Sequence, residues 1–257
     1  MNLDLENKNV LITGASRGIG LAIASSFLAE GAKVCIVSRG SKELFDNEKK
    51  LKEKFGKDSV WANKCDCTKN EDLESLKEKI INEWGSLDIV IANVGSGESV
   101  PDKLPSSNDW EKTWNINFES ALQTTRIFLP ILESSQGVLL YVSSIAGIEA
   151  LGAPTDYSTA KTAVMSLAKN LARKSAPDVR VNVLAPGNIF FENGSWDKKI
   201  KKDKKSVNEM ISSKVPMKRF GTPEEVGDAA VFLCSDKAKF ITGTTLVIDG
   251  GQTIGLA

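Results

Sequence analysis

Short apolar runs alternate with longer stretches of helical periodicity along almost the whole chain. Asn9–Gly14, Ala32–Ser38, Ser59–Cys65, Leu87–Gly95, Gly137–Ser143, Arg180–Gly187 and Thr245–Asp249 each have the length and apolar weight of one strand. Most lack the strict alternation of a strand with one wet face, so they are expected as strands covered on both sides. Between them, Gly18–Gly31, Lys42–Gly56, Asn70–Gly85, Asp109–Leu132, Thr155–Ser175 and Pro223–Asp236 carry apolar residues at helical spacing. Gly31, Gly56 and Gly85 stand where a helix would stop. Asn188–Ser213 reads differently, as a polar segment rich in lysine, serine and asparagine.

Strands separated by helices predict an α/β fold: a doubly wound parallel sheet of Rossmann type, about seven strands flanked by helices on both faces. No repeat, low-complexity linker or shift in composition divides the chain, so residues 1–257 are expected as a single domain. A chain of this length buries about three quarters of its unfolded surface, so its core needs neither disulfide nor metal. Lys+Arg and Asp+Glu both number 33, and a net charge of zero argues against a nucleic-acid partner.

Cys35, Cys65, Cys67 and Cys234 form no disulfide framework, and Cys65-x-Cys67 is too tight for a zinc knuckle. They are expected as buried reduced thiols, with no metal site. The N-terminal MNLDLENKN is acidic and polar, unlike a signal peptide. No apolar run approaches the roughly 18 residues of a membrane span, so a cytoplasmic protein is expected. The chain has no histidine, which excludes a Ser-His-Asp triad, a histidine-based metalloprotease and a histidine general base.

TGASRGIG lies where the first strand meets the first helix. Gly14, Gly18 and Gly20 let the backbone turn sharply and approach a pyrophosphate, with Ser16, Arg17 and Ile19 beside it. The spacing is Gly-x3-Gly-x-Gly, not the usual Gly-x-Gly-x-x-Gly, and any tight strand-to-helix turn would also favour glycine. The second strand ends in Ser38 and Arg39, with no acid to hold ribose hydroxyls. Arg39, helped by Arg17, would attract a 2'-phosphate, so NADP(H) is expected ahead of NAD(H). The plainer alternative is two surface arginines.

TDYSTAKTA places Tyr157 and Lys161 on one face of a helix. An ammonium near a phenol favours phenolate and brings the group towards neutral proton transfer. The same pair occurs by chance in many helices. Ser144, thirteen residues earlier at the carboxyl end of a strand, adds a hydroxyl that would hold a carbonyl oxygen.

With these motifs the chain, from Lys8 to Gly251, resembles the short-chain dehydrogenase/reductase family, and most of all its 3-oxoacyl-[acyl-carrier-protein] reductase-like members. Its Asn-Asn-Ala-Gly element appears as ANVG, keeping Asn93 and Gly95, and Asp66, Asn117 and Pro186-Gly187 match further family positions. The ending from Arg219 to Gly251 is typical of the family. The resemblance implies that Tyr157 is the acid/base, that Lys161 tunes it and grips the nicotinamide ribose, and that Ser144 orients the substrate. It implies that Asn117 holds a water linking Lys161 to solvent, and that Asp66 contacts the adenine. It departs at Ala92 and Val94, and at Phe191, which stands where the family often has a threonine on the nicotinamide amide. Asn188, Ile189 or backbone groups must then hold that amide.

The resemblance further implies a homotetramer, with Phe118, Leu122 and Phe128 available either to pair or to face the sheet, and a substrate lid at about 188–215. The wealth of lysine, serine, asparagine and aspartate in Asn188–Val215 predicts a segment that is mobile until ligand binds. Six lysines between Lys198 and Lys205 are either a solvated face or a clamp for an anionic substrate, with Phe190, Phe191 and Trp196 as apolar walls. The expected activity is interconversion of a carbonyl and a secondary alcohol, on a 3-oxoacyl thioester or on a sugar or polyol. A nucleotide-sensing regulator is the alternative outside enzymology, and it has no need of Asn117, Ser144, Tyr157 and Lys161 together.

Overall fold

The apolar runs form seven strands: β1 (Asn9–Thr13), β2 (Lys33–Ser38), β3 (Val60–Lys64), β4 (Ile89–Ala92), β5 (Val138–Val142), β6 (Arg180–Pro186) and β7 (Thr245–Ile248). All pair in parallel, in the order β3-β2-β1-β4-β5-β6-β7. The chain runs outward from β1 to β3, then returns to lay β4 on the other side of β1. That reversal opens a crevice at the carboxyl ends of β1 and β4, where doubly wound sheets take their ligands. The computed structural model describes residues 2–100 and 102–255.

Nine helices connect these strands among the described residues: α1 (Gly18–Ala29), α2 (Lys42–Phe55), α3 (Asn70–Trp84), α4 (Ser107–Trp114), α5 (Ser120–Ser135), α6 (Thr155–Ser175), α7 (Ser195–Lys202), α8 (Lys204–Lys214) and α9 (Pro223–Cys234). Successive strand residues point to opposite faces, so the sheet has two cores. Val10 and Ile12 of β1 pack with Ile23 and Phe27 of α1, Leu44 of α2 and Val226 of α9. Leu11, between them, joins Leu139 and Tyr141 of β5, Leu76 of α3, Phe128 of α5 and Val164 of α6 on the other face. Each such side chain stabilises the fold by about 1.5–3 kcal/mol through burial. The four cysteines are free and buried within these layers.

Packing refines two expectations. Phe128 faces the sheet, fully buried in the second core, whereas Phe118 and Leu122 are half-buried. The polar segment after β6 contains α7 and almost all of α8. Val207 and Ile211, four apart on α8, give a short apolar stripe that is buried with Val215. Asp203 starts that helix by accepting the backbone N–H of Ser206 at 3.0 Å. An apolar signal of a few residues among lysines is too thin to read from the sequence.

Candidate active site

The first wall of the crevice is the turn from β1 into α1. Gly18 has φ +56°, in the left-handed region that favours glycine. At Gly20 a Cβ would lie 2.5 Å from both the Asn93 side-chain nitrogen and the Gly14 carbonyl, so no side chain fits. Behind the turn, Asn93 Nδ2 donates to the carbonyls of Thr13 and Gly14 at 2.9 and 3.0 Å, and its own N–H donates to Thr13 Oγ1 at 3.0 Å. Asn93 therefore braces the cradle from the crevice side. No side chain caps α1, which leaves its first N–H groups directed at the crevice. These features fit a pyrophosphate.

At the β2 end, Arg17 and Arg39 line the same cleft and are exposed, and neither forms an ion pair among the described residues. Both fit a 2'-phosphate. Ser38 Oγ donates to the Gly40 carbonyl at 2.8 Å, shaping that corner. Glu43, in the first turn of α2, also lines the cleft. The sequence reading missed it, because only the start of α2 brings it back towards Arg39. Asp66 also lines the cleft; its Oδ1 accepts from the N–H and hydroxyl of Thr68 at 3.1 and 2.8 Å.

Deeper in the cleft, α6 presents Tyr157 and Lys161. Lys161 is buried and donates from Nζ to the Val142 carbonyl at 3.1 Å. Burial lowers its pKa to about 8. Its Nζ lies 5.9 Å from the centre of the Tyr157 ring. Burial raises the Tyr157 pKa, and a hydrogen bond with Ser144 partly opposes that. Loss of water around the phenolate is therefore the dominant influence on this phenol. A Cβ at Gly95 would lie 2.9 Å from Lys161 Nζ and 3.0 Å from Asn117 Oδ1, which places all three at one point.

Asn117 sits in a π-helical turn, Asn115–Glu119, between α4 and α5. Its Nδ2 donates to the carbonyls of Ser96 and Thr113, both at 3.0 Å, and its Oδ1 accepts the Ser96 N–H at 3.0 Å. Both amide N–H groups of Asn117 are thus committed within the fold.

The segment after β6 forms the opposite wall through Phe191, Asn193, Gly194, Ser195 and Lys198. The Phe191 ring lies over Gly18, where a Cβ would meet ring carbons at 2.7–3.0 Å, and it also rests on Gly194. Lys198 on α7 pairs across the mouth of the cleft with Glu98, in the loop after β4. Of the six lysines only Lys198 lines the cleft. Lys201 pairs with Asp197 at 2.7 Å, Lys205 with Glu209 at 4.0 Å, and Lys199 lies over the Trp196 ring at 4.2 Å. Phe190 and Trp196 pack on Phe220. The wide anion clamp reduces to one residue. Gly18, Asn117 and Ser144 stand just behind the lining, while Pro186, Gly187 and Ile189 lie farther round: Ile189 is buried, and a Cβ at Gly187 would meet Asp249. The whole cleft measures about 850 Å³.

A family profile described as Enoyl-(Acyl carrier protein) reductase matches residues 14–253. The Short-chain dehydrogenase/reductase SDRA of Arabidopsis thaliana is 35% identical over 255 residues, covering 96% of this chain and 95% of that protein. The 3-oxoacyl-[acyl-carrier-protein] reductase FabG of Thermotoga maritima is 33% identical, covering 97% and 99%. Among solved structures, L-sorbose reductase from Gluconobacter frateurii, complexed with NADPH and L-sorbose, superposes with a TM-score of 0.93 at 31% identity, over 100% of both chains.

Proposed function

The chain belongs to the short-chain dehydrogenase/reductase family, and from that premise we propose that it is an NADP(H)-dependent oxidoreductase interconverting a carbonyl and a secondary alcohol. The observation that carries this reading is the convergence of Tyr157, Ser144, Lys161 and Asn117 beside a cleft that opens on the glycine turn. The nicotinamide, when bound, supplies or accepts the hydride. Burial keeps the Tyr157 proton in place at neutral pH, as an acid in the reducing direction requires. Ser144 donates to the same substrate oxygen and fixes its direction. As the proton leaves, the Lys161 ammonium offsets the charge of the phenolate. Arg17 and Arg39 favour NADP(H); Glu43 beside them is the one feature that would suit NAD(H).

For the substrate we propose a 3-oxoacyl thioester, on the likeness to the FabG reductases. A ketose or polyol is the second reading, favoured by the polar rim of Ser96, Glu98, Asn193 and Ser195 and by the lack of a wide cationic clamp. Screening ketoses and 3-oxoacyl thioesters with NADPH and NADH separates these readings. No turnover of any carbonyl or alcohol, with cofactor bound, would favour the nucleotide-sensing alternative. We further propose one domain, residues 1–257, with its lid at about 188–215, and a cytoplasmic homotetramer. Light scattering checks the assembly. Among the described residues no helix is long and apolar enough to cross a membrane.

A further inference from the structure

Three charged side chains are buried among the described residues: Lys161, Asp197 and Asp156. Lys161 belongs to the site, and Asp197 pairs with Lys201. Asp156, 1% exposed and directly before Tyr157, has no ion pair among the described residues. A buried charge without a counter-ion is costly, so it persists where its hydrogen bonds do something the fold needs.

Its hydrogen-bond partners lie in the loop after β4 and at the start of α6. Ser99 Oγ, in the loop after β4, donates to Oδ2 at 2.6 Å. The backbone N–H of Tyr157 donates to Oδ1 at 2.8 Å. The Thr113 side chain on α4 also favours the anion. Burial pushes this carboxyl up, but the donors outweigh it and hold its pKa below the ordinary value, so it is an anion at neutral pH. Thr113 is also the residue whose carbonyl receives Asn117, and Asn117 ties Ser96. The loop is therefore fastened at Ser96 by Asn117 and at Ser99 by Asp156. Between these points it presents Glu98 to Lys198 of the lid.

We propose that Asp156 is a positioning residue: its carboxylate fastens the Ser96–Ser99 loop to the first turn of α6, and so sets the gap between Tyr157 and the wall where substrate rests. This rests on the carbonyl–alcohol reading of the site. Asp156 does not touch the reacting atoms; it acts through the loop and through Tyr157.

The test uses Ser99→Ala, Asp156→Ala and Asp156→Asn in the full chain, at a temperature where all remain folded. With a carbonyl that the wild-type protein reduces, Ser99→Ala should raise KM about tenfold, the effect of one lost hydrogen bond to a charged group, with kcat little changed. Asp156→Ala should raise KM and lower kcat together, Asp156→Asn should restore most of both, and NADPH affinity should stay constant throughout. Adding Ser99→Ala to Asp156→Ala should cost nothing further, because both remove the same link. Amide exchange of residues 96–100 in the free protein should quicken in both alanine variants while α6 stays protected, an arm that needs no substrate. If no substrate turns over in the wild-type protein, the activity reading fails and this arm alone decides whether the loop is fastened. Folded variants with unchanged KM and unchanged exchange would overturn the proposal. So would Asp156→Ala and Asp156→Asn losing thermal stability alike with no change in KM, which would leave a purely structural residue. Should Asp156→Ala fail to fold, Ser99→Ala and Asp156→Asn carry the same two readouts.

Discussion

The glycine turn and the proposed lid face one cleft from opposite sides and are built by opposite means. The turn joins a fully buried strand to a helix packed in the first core, and Gly20 has a carbonyl and an amide where a Cβ would be. The lid rests on a short stripe, Val207, Ile211 and Val215, and on ion pairs whose lysines are well exposed. One wall has a single conformation that its packing permits. The other can be moved for a fraction of the cost, since exposed ion pairs contribute only about 0–1 kcal/mol each. A rigid wall suits the invariant part of a bound cofactor, and an adjustable wall suits closure over a substrate.

The largest effects should come from the rigid side. Tyr157→Phe removes the transferable proton and keeps the ring, so turnover should fall by about 10²–10⁴-fold while cofactor binding survives. Near-normal kcat on an identified substrate would remove Tyr157 from the chemistry. Gly20→Ala should weaken NADPH binding by about 2 kcal/mol, or roughly thirtyfold, because backbone must shift to admit the methyl group. Fluorescence titration checks this, and an unchanged Kd would show that the turn is softer than its contacts suggest. Arg39→Ser should cost NADPH about 1–3 kcal/mol and NADH little. Glu43→Gln should shift preference the same way as a phosphate would wish, towards NADPH. Equal effects of Arg39→Ser on both cofactors would sink the 2'-phosphate assignment.

Lys161 links the two walls through pH. With its pKa lowered to about 8 by burial, Lys161 loses its charge as pH rises through that value. Cofactor binding that uses this cation should weaken as pH rises through about 8, by up to about tenfold per unit. Lys161→Met should bind weakly and without that dependence. For stability the unfolded chain keeps this proton to higher pH than the folded one. Burying Lys161 therefore costs stability below about 8, and the cost fades as pH climbs towards the ordinary lysine value. Urea melts on either side of that value read the sign.

The same contrast explains what was legible. The strands could be read because burial on both faces leaves uninterrupted apolar runs, and Val10, Leu11 and Ile12 serve two cores at once. The motif residues could be read because the glycine spacing and the Tyr157–Lys161 pair are local patterns. What escaped depends on contacts distant in sequence. Glu43 enters the cleft through the start of α2, Glu98 meets Lys198 a hundred residues later, and the Phe191 ring finds Gly18 across the crevice. The two tyrosines make the point within one residue type. Tyr141 is core, bonded to Thr125 at 2.6 Å, and nothing next to it in the chain says so. Tyr157 adds to it: spacing reveals a neighbouring charge, and only packing reveals the loss of water that raises its pKa.

The smallest effect belongs to the lid, and it discriminates best between the two walls. Lys198 and Glu98 are both more than half exposed, so their attraction is screened by salt and should contribute no more than about 1 kcal/mol. Lys198→Gln should therefore raise KM by at most about fivefold, leave NADPH affinity nearly unchanged, and speed amide exchange in α7 and α8 without touching α1. Glu98→Gln should match it in all three readouts, and the double substitution should add little, since one pair is being removed. Lys202 and Lys204, which face solvent without carboxylate partners among the described residues, should change nothing when replaced by Gln. If those two alter KM and its salt dependence more than Lys198 does, the outward lysines steer an anionic substrate and the wide clamp returns. If Lys198→Gln leaves exchange across the lid as it was, the buried stripe of Val207, Ile211 and Val215 holds the lid without help. The lid would then be a second rigid wall, and the difference between the two sides would lie in composition alone.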